Sequence, residues 1–367
     1  MHKIKLLHLN AGSNIGGTET MILRFLDKVD QQQFTVYVGA FFPGGEFLNE
    51  VKKRRAQSVL FKITNAIHFI SAFIKLSRFL KKNKIDIIHL YGFWTNIGGR
   101  IAAKLAKTPI IISGQRTEDN WRKPFHSWLD RLTLRWVDLY ISVFHKGKEL
   151  LIKRDRIPEN KIVVIHNGID LTWVNTEKQN KKQLPMIGMI AAQNRFKRQD
   201  LLIQAAPKIL ESFPQANFIL VGSGRTMDKN IKLISSLGLT SHFIVNGFVK
   251  DIRQILSNLT VFVLATNSEG LPVSILEAMA YGIPVVASRV GGISELVEDQ
   301  VTGILVKSNN VNELSTAIIE ILENPVKAKR MGEAAKERVK KHFTIEQMMG
   351  QLEFIYQNLA KRKGLIE

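Results

Sequence analysis

The sequence predicts an α/β protein built from two doubly wound parallel-sheet domains. Its 367 residues exceed what one hydrophobic core usually serves. Short apolar runs alternate with helical patterns along the whole chain, which is typical of βαβ units. A polar stretch at 172–184 interrupts this alternation. We therefore expect a first domain at 1–171, a linker at 172–184 and a second domain at 185–344, with a C-terminal helix in 345–367 that packs back on the first domain.

Each predicted strand is a short apolar run that ends at a polar or glycine-containing turn. In the first half these runs are Ile4–Leu9, Thr35–Gly39, Ser58–Phe61, Ile85–Leu90, Ile110–Ser113, Leu139–Val143 and Ile162–Ile165. In the second half they are Met186–Ala191, Asn217–Val221, Phe243–Asn246, Val261–Leu264, Val285–Ala287 and Gly303–Leu305. The helices predicted in the second half are Arg198–Ser212, Met227–Leu237, Val249–Asn258, Val273–Tyr281, Val311–Glu323, Lys327–His342 and Ile345–Lys361.

The composition is that of an ordinary globular protein, with 45% hydrophobic and 23% charged residues. The absence of cysteine excludes a disulfide framework, a thiolate nucleophile and a Cys-ligated metal. The apolar run at the start is too short for a signal peptide and is interpreted as a buried first strand. No uncharged apolar run reaches the length of a membrane-spanning helix.

The positive charge lies mainly in the first half of the chain. Residues 1–184 carry 31 Lys and Arg against 15 Asp and Glu, whereas residues 185–367 carry 21 against 17. A basic surface attracts nucleic acid, anionic lipid or phosphorylated ligands. The asymmetry indicates that the first half faces such a partner.

The most informative motif is the segment 267–287, in which Glu269 and Glu277 lie eight residues apart. Gly270 allows the loop backbone to approach a ligand closely. Pro272 occupies the expected first helical position, and Gly282 ends that helix. The start of the helix then faces the carboxyl ends of the strands, where its N–H groups suit a phosphate or a sugar hydroxyl.

This segment resembles the Glu-x7-Glu signature of glycosyltransferase family 4, the retaining enzymes with the GT-B fold. Four further segments resemble that family: Gly16–Glu19, Asn167–Asp170, Val290–Val297 and Gly303–Val306. The resemblance covers almost the whole chain. It implies two Rossmann-like domains facing a central cleft. It also implies transfer of a sugar from a nucleotide-diphosphate sugar to a glycan or lipid-linked acceptor, in the synthesis of a surface polysaccharide or glycolipid.

The resemblance also assigns roles on the donor side. Glu277 would hold the ribose hydroxyls of the donor, and Glu269 would contact the donor sugar. Lys197 matches the family's phosphate-binding lysine. The family's arginine about five residues earlier is replaced by Ala192, and Arg195 is expected to supply that guanidinium from a shifted position. The remaining predicted donor-binding residues act through their backbone: Gly16, Gly17, Gly270, Leu271, Pro272 and Val273.

On the acceptor side, the family's histidine near the end of the fourth or fifth strand has no direct counterpart. Arg116 or Gln115 occupies that neighbourhood, and Arg116 could bind an acceptor phosphate or the departing diphosphate. His89 lies at the end of a predicted strand and is interpreted as a buried, hydrogen-bonded histidine. The predicted catalytic residues are Glu269, Lys197 and Arg116.

The chain contains no Asp-x-Asp motif, which metal-dependent sugar-nucleotide enzymes of another fold use to hold a divalent ion. Lys, Arg and a helix N-terminus would neutralise the diphosphate instead. We therefore expect a metal-independent reaction without a cofactor.

The segment between Glu50 and Asp86 carries ten basic residues and no acidic one. A basic amphipathic helix in this segment predicts binding to an anionic membrane surface. Its predicted membrane-facing residues are Phe69, Phe73, Lys75, Arg78, Lys81 and Lys82. The alternative is an ordinary outer helix that buries its apolar stripe against the sheet. The basic-aromatic stretch Trp121–Trp128 is a second candidate for membrane contact. We expect a cytoplasmic protein, peripheral at the inner face of the cell membrane.

Two other interpretations use the same observations. Sugar-nucleotide epimerases and disaccharide phosphorylases share the architecture but catalyse different reactions. A non-enzymatic basic adaptor would explain the charge but not the frame around Glu269 and Glu277. Basic repeats interleaved with aromatic residues, typical of single-strand binders, do not occur, so no nucleic-acid partner is expected.

Overall fold

The computed structural model describes residues 3–54, 56–64, 67–174 and 184–367, with the backbone only for Ile67. Tertiary contacts divide the chain into two units. Unit 1 comprises Met1–Asn167 together with Ile345–Glu367, and unit 2 comprises Gly168–Thr344. Of the predicted linker, residues 175–183 lie outside the described residues, and Leu171–Trp173 before them forms a 3-10 turn.

Unit 1 contains a parallel sheet of seven strands in the order β3-β2-β1-β4-β5-β6-β7. Its strands are β1 (Ile4–Asn10), β2 (Phe34–Ala40), β3 (Gln57–Leu60), β4 (Ile87–Tyr91), β5 (Ile110–Gln115), β6 (Leu139–Ser142) and β7 (Ile162–Val164). The helices between them are α1 (Gly17–Lys28), α2 (Phe47–Lys52), α3 (Ile67–Asn83), α4 (Phe93–Ala106), α5 (Pro124–Leu134) and α6 (His145–Lys153).

Unit 2 contains a parallel sheet of six strands in the order β10-β9-β8-β11-β12-β13. Its strands are β8 (Met186–Ile190), β9 (Asn217–Val221), β10 (Phe243–Asn246), β11 (Val261–Leu264), β12 (Val285–Ser288) and β13 (Gly303–Val306). Its helices are α7 (Gln199–Ser212), α8 (Met227–Ser236), α9 (Arg253–Asn258), α10 (Val273–Ala280), α11 (Ile293–Leu296), α12 (Val311–Glu323) and α13 (Pro325–His342). The predicted fold class, α/β with two doubly wound parallel sheets, is confirmed.

The order of each sheet creates a topological switch point, where successive connections leave in opposite directions. In unit 2 this point lies between β8 and β11, and in unit 1 it lies between β1 and β4. Ligands of doubly wound sheets bind outside the carboxyl ends of the strands at such a point. The loops that follow these four strands are therefore the expected positions of a ligand-binding site.

The last helix, α14 (Ile345–Arg362), belongs to unit 1. Its Tyr356 is fully buried, and its hydroxyl is hydrogen-bonded to Nδ1 of His89 on β4 at 2.7 Å. Helices α3 and α4 cover the other face of the same sheet, since Leu76, Leu80 and Ala102 pack against Leu7, Leu9 and Leu90. Successive residues of a strand point to opposite faces of the sheet. His89 therefore faces α14, and Leu90 faces α3 and α4.

Helix α3 differs from its predicted orientation. Phe69 and Phe73, predicted to face a membrane, are half-buried and pack against the hydrophobic core. The ring of Phe73 lies over Gly98 of α4, where a Cβ would come within 2.1 Å of it. Lys75, Arg78, Lys81 and Lys82 are exposed. Phe69 and Phe73 therefore pack towards the sheet, as the apolar face of an outer helix in an α/β protein does.

Two other predictions shift by a few residues. Helix α9 begins at Arg253 rather than Val249, and the Asp251 side chain just before it accepts a hydrogen bond from the Arg253 N–H at 3.1 Å. Pro272 is the N-cap of α10 in extended conformation, not its first helical residue. None of the helices in the described ranges combines the length and apolar composition needed to cross a bilayer.

Candidate active site

The switch point of unit 2 brings together two predicted site residues. Lys197 lies in the loop after β8, and Glu269 lies in the loop after β11. The Lys197 Nζ forms an ion pair with Oε1 of Glu269. The Lys197 side chain is 21% exposed and that of Glu269 only 7%. A cation and a carboxylate, 72 residues apart in sequence, thus lie side by side at the edge of the sheet.

Hydrogen bonds hold the loop that carries Lys197. The Asn194 Oδ1 accepts hydrogen bonds from the N–H groups of Phe196 and Lys197, at 2.9 and 3.2 Å. The Phe196 carbonyl then accepts from the Asn267 N–H at 2.9 Å and from the Thr266 hydroxyl at 3.0 Å. The two loops are therefore joined through backbone groups, which restricts the position of the ion pair.

Glycine at 291 is required by the position of Glu269. Gly291 has φ +58°, and a Cβ there would lie 2.1 Å from the Glu269 carbonyl oxygen. The next residue, Gly292, donates its N–H to the Gly270 carbonyl at 2.8 Å. Both contacts press the loop after β12 against the Glu269 loop. The resemblance identified Gly291 only as part of a closing segment, and the structure adds this packing role.

Helix α10 starts directly after the Glu269 loop. Gly270, Leu271, Pro272 and Val273 are all buried, so side chains and backbone of this turn are held in place. The first N–H groups of a helix lack intrahelical acceptors and carry partial positive charge. Glu277 lies further along α10 and is only 8% exposed. The structure thus places both glutamates of the signature on a buried frame rather than on a solvated surface.

The turn after β9 is fixed by Gln193, a residue that the sequence reasoning missed. The fully buried Gln193 side chain donates to the Gly222 carbonyl at 2.8 Å and accepts from Asn230 Nδ2 at 2.8 Å. A Cβ on Gly224, at φ +154°, would lie 2.1 Å from the Gln193 carbonyl oxygen. No local pattern signals such a role, because a glutamine after a strand resembles any polar loop residue.

The other basic residues of this region are placed differently. Arg195 is exposed, and its guanidinium carbon lies 4.7 Å from the ring centroid of the adjacent Phe196. Arg198 forms an ion pair with Asp200 at 2.8 Å. The structure therefore pairs Lys197 with Glu269 but records no such contact for Arg195, whose predicted role on the diphosphate stays a prediction.

In unit 1, the loop after β1 carries the predicted Gly16 and Gly17, both exposed at the start of α1. The Glu19 side chain accepts a hydrogen bond from the Gly16 N–H at 3.0 Å and another from the Asn10 side chain. Burial raises the pKa of Glu19, while its hydrogen bonds and the nearby Arg116 charge act in the opposite direction. Glu19 therefore fixes the start of α1 in the way a capping box does.

Arg116 follows the end of β5. Its Nη2 donates to the Asn167 Oδ1 at 2.8 Å, and its guanidinium lies 5.9 Å from the ring centroid of Tyr91. Burial lowers the pKa of Arg116 from its ordinary high value, and the nearby Tyr91 and Glu19 oppose that shift. An arginine stays charged under these conditions. Arg116 is thus a half-buried cation at the carboxyl end of a central strand.

Beside Arg116, a buried polar cluster joins β1, β4 and α14. His8 and His89 are register partners on adjacent strands, and both are buried. Nδ1 of His8 is hydrogen-bonded to the Tyr91 hydroxyl at 2.7 Å, and Nδ1 of His89 to the Tyr356 hydroxyl at the same distance. Burial lowers the pKa of His8 to about 3 and that of His89 well below its usual range. His89 is therefore a neutral, hydrogen-bonded core residue, as expected.

Comparison with known proteins matches both halves of the chain. A family described as Glycosyltransferase Family 4 matches residues 15–173, and one described as Glycosyl transferases group 1 matches residues 172–338. An uncharacterized glycosyltransferase of Methanocaldococcus jannaschii is 31% identical over 94% of this chain and 95% of its own length. The chain belongs to glycosyltransferase family 4.

Two other similarities cover nearly the whole enzyme. The Escherichia coli UDP-Gal:alpha-D-GlcNAc-diphosphoundecaprenol alpha-1,3-galactosyltransferase is 26% identical over 98% of both proteins. The crystal structure of Anabaena HepE in complex with UDP and glucose superposes with a TM-score of 0.85 at 22% identity, covering 97% of this chain and all of HepE. This glycosyltransferase therefore has the GT-B fold.

Against the family pattern set out above, Ala192 stands where an arginine is usual, and Arg116 or Gln115 occupies the neighbourhood of the family's histidine. The structure brings Lys197, Glu269 and the start of α10 together in unit 2. It places Gly16 and Gly17 after β1, at the switch point of unit 1, and Arg116 after β5, the strand next to β4.

Proposed function

We propose that this glycosyltransferase transfers a sugar from a nucleotide-diphosphate sugar to a lipid-linked or surface-polysaccharide glycan. The transfer retains the anomeric configuration and uses no metal ion and no further cofactor. Two similarities support the substrate classes. The name of the E. coli relative gives UDP-Gal as donor and a GlcNAc carried on diphosphoundecaprenol as acceptor. The HepE structure contains UDP and glucose.

The observation that carries the proposal is the ion pair of Lys197 with Glu269 next to the start of α10. A diphosphate leaving group gains negative charge as its bond to the sugar breaks, and preorganised donors stabilise that charge best where water is scarce. Lys197 and the first N–H groups of α10 supply such donors. Glu269 is then beside the same phosphate, in position for the hydroxyls of the donor sugar, and Glu277 holds the ribose.

The proposed reaction takes place on one face of the sugar. The bond from the anomeric carbon to the diphosphate oxygen breaks, and a new bond forms from that carbon to the acceptor oxygen. The proton of the acceptor hydroxyl passes to the departing phosphate. A covalent route would need a carboxylate on the far face of the sugar, and we assign none. Arg116 binds an acceptor phosphate or the departing diphosphate, and Gly16 and Gly17 let the backbone approach the donor.

The experiment uses the full chain with a panel of UDP-, GDP- and ADP-sugars, with and without a diphosphoundecaprenol-linked GlcNAc acceptor. We expect nucleotide diphosphate to be released only when the acceptor is present, at the same rate in EDTA, and the product to carry an α-linkage by NMR. Release without an acceptor, an epimerised donor or phosphorolysis of the glycan would overturn the assignment. Loss of turnover in EDTA would contradict metal independence, and a β-linked product from an α-linked donor would contradict retention.

We also propose that the enzyme is cytoplasmic and peripheral at the inner face of the cell membrane. A nucleotide sugar is a soluble donor, whereas a lipid-linked acceptor is confined to a bilayer, so the enzyme must meet both at that boundary. The excess of basic residues in residues 1–184 favours such a location. Fractionation of cells into cytosol, salt-washed membranes and salt extract tests this, since a peripheral protein appears in the extract.

A further inference from the structure

Helices α3, α4 and α5 lie side by side on one face of the unit 1 sheet. The Phe73 ring of α3 packs over Gly98 of α4, and Arg100 of α4 forms a buried ion pair with Asp130 of α5. These inward contacts leave the outer sides of the three helices as one surface. We call it the α3–α5 surface, and it includes Trp121 in the loop before α5.

Large apolar side chains cross this surface in stripes. On α5, Phe125, Trp128 and Leu132 are exposed, with Phe125 at 59%. On α4 the exposed set is Trp94, Ile101 and Leu105, and on α3 it is Ile70 and Ile74. Their spacings of three, four and seven residues place each set on one side of its helix. Single exposed apolar residues are normal on any protein, but contiguous sets mark an interaction surface.

The aromatic rings form a continuous patch centred on His126. The His126 ring centroid lies 5.8 Å from that of Trp94, 5.1 Å from Trp121 and 5.9 Å from Phe125. The Phe125 ring is stacked 6.0 Å from that of Trp128. Four exposed aromatic residues thus belong to one patch. Trp is enriched at the lipid headgroup level of membrane proteins, because its ring has an apolar body and a polar N–H.

The charge on the surface has a single sign. The only carboxylate within the three helices is Asp130, which is buried and paired with Arg100 and Arg122. The exposed charged residues of these helices are Lys75, Arg78, Lys81, Lys82, Lys104 and Arg131. Apolar and aromatic side chains surrounded by cations, without an exposed carboxylate, complement an anionic headgroup layer above an apolar interior.

We propose that the α3–α5 surface docks on the anionic lipid surface of a membrane, with the aromatic patch at headgroup level and the exposed cations against lipid phosphates. The inference rests on the proposed function, because it supplies the contact with the bilayer that holds a lipid-linked acceptor. The chain runs from Arg116 at the end of β5 through Trp121 into α5. Arg116, which is assigned to an acceptor or leaving-group phosphate, therefore lies on the same loop as Trp121 of the aromatic patch.

The test is vesicle flotation of the full chain with phosphatidylcholine alone and with an equimolar mixture of phosphatidylcholine and phosphatidylglycerol. We expect wild type to bind the anionic vesicles at least about tenfold more tightly than the neutral ones. The triple variant Phe125→Ser/Trp128→Ser/Leu132→Ser and the quadruple variant Lys75→Gln/Arg78→Gln/Lys81→Gln/Lys82→Gln should each weaken that binding about tenfold or more.

The matched control is Phe354→Ser. Phe354 is 64% exposed on α14, which packs on the opposite face of the same sheet, so this variant should bind vesicles as wild type does. Thermal melting of each variant checks that it is folded. The proposal is overturned if wild type does not bind anionic vesicles, or if the folded triple variant binds them as tightly. It is also overturned if the triple variant converts a dimer to a monomer, because the surface then covers a second copy.

A transfer assay separates this inference from the proposed function. With a water-soluble acceptor analogue, the triple variant should turn over at the wild-type rate, whereas with acceptor embedded in anionic vesicles its rate should fall with its binding. Failure of wild type to transfer sugar to any acceptor would overturn the proposed function while leaving vesicle binding as a separate result. Normal transfer from vesicles by a variant that does not bind them would overturn the docking proposal alone.

Discussion

The two units share one topology but distribute their charged groups differently. In both sheets the first three strands run outward in one direction and the later strands in the other. Unit 2 concentrates its candidate chemistry at the switch point, where Lys197 meets Glu269 beside the start of α10. Unit 1 buries two neutral histidines at its switch-point strands, has the half-buried Arg116 after β5, and carries a set of exposed cations on its outer helices. A doubly wound sheet therefore provides a ligand-binding position at the carboxyl ends of its strands, and the side chains at that position determine which ligand or reaction it serves.

Under the proposed function, unit 2 supplies most of the side chains that hold the donor, while unit 1 adds the Gly16 and Gly17 backbone to the donor and Arg116 to the acceptor phosphate or the departing diphosphate. The sharpest test of this arrangement is Lys197→Ala. We expect kcat to fall about 10²–10³-fold, the usual cost of removing one preorganised donor to a developing charge. The matched control is Lys208→Ala, an exposed lysine on α7, which should turn over at the wild-type rate. Steady-state rates within about twofold of wild type for Lys197→Ala would contradict the role of Lys197 in stabilising the leaving group.

Gly291→Ala tests whether the frame of unit 2 matters as well as its charges. The new Cβ would meet the Glu269 carbonyl oxygen at a backbone φ that favours glycine. We expect roughly tenfold to hundredfold lower kcat/KM and a loss of about 1–3 kcal/mol in the free energy of unfolding. Gly350→Ala on α14 has open space around its Cβ and is the control. Unchanged kinetics with lowered stability would show that the Glu269 position tolerates this shift.

Arg116→Gln tests whether unit 1 binds the acceptor. The substitution keeps a polar side chain near Asn167 and removes the charge. If unit 1 handles the acceptor, we expect KM for a phosphate-containing acceptor to rise about tenfold while KM for the donor stays constant, because a charge-assisted hydrogen bond is lost. Initial rates with each substrate varied in turn provide the measurement. A rise in the donor KM instead would assign Arg116 to the departing diphosphate.

The smallest expected effect concerns the buried histidines of unit 1. Because burial keeps His8 and His89 neutral in the folded state, the unfolded chain binds protons first as the pH falls below its histidine pKa of about 6.5. Their contribution to stability is therefore present above that pH and is lost on acidification, for His8 down to about pH 3.

Between pH 7.5 and 5.5 we expect the buried His8 to lower the free energy of unfolding of unit 1 by about 1.4 kcal/mol. The buried His89 acts in the same direction. Urea unfolding at the two pH values, followed by tryptophan fluorescence, measures this. His8→Asn should reduce the pH dependence of the free energy of unfolding by the contribution of His8. An unchanged dependence in His8→Asn would mean that His8 is protonated or solvated in the folded protein.

Much of the fold could be predicted because its signals are local. All thirteen strands of the described ranges were predicted, with ends within two residues. A buried parallel strand is recognised from its own apolar run, without knowledge of its neighbours. The helix that starts too early in the prediction, at Val249, shows the limit of this approach. Residues 249–252 precede the helix in the structure, and Asp251 accepts a hydrogen bond from the Arg253 N–H instead of continuing the helix backwards.

The motif residues of the candidate site were predicted from the sequence, but the residues that hold them in place were not. The spacing of Glu269 and Glu277 and the Gly-Leu-Pro turn identified the family, because a ligand-binding turn needs particular backbone conformations close in sequence. Gln193 escaped detection, since its partners Gly222 and Asn230 lie 29 and 37 residues away. The orientation of Phe69 and Phe73 was wrong because periodicity defines an apolar face but not what covers it.

The α/β class, the family, the excess of basic residues in the first half and the identity of the signature glutamates all follow from the amino-acid sequence alone. Each of these depends on composition or on residues a few positions apart. Only the tertiary structure decided that Lys197 meets Glu269, that Gly291 supports the Glu269 loop, and that Tyr356 of the last helix bonds to His89 267 residues earlier. Such contacts depend on strand order and close packing, which bring distant segments together and leave no local pattern to read.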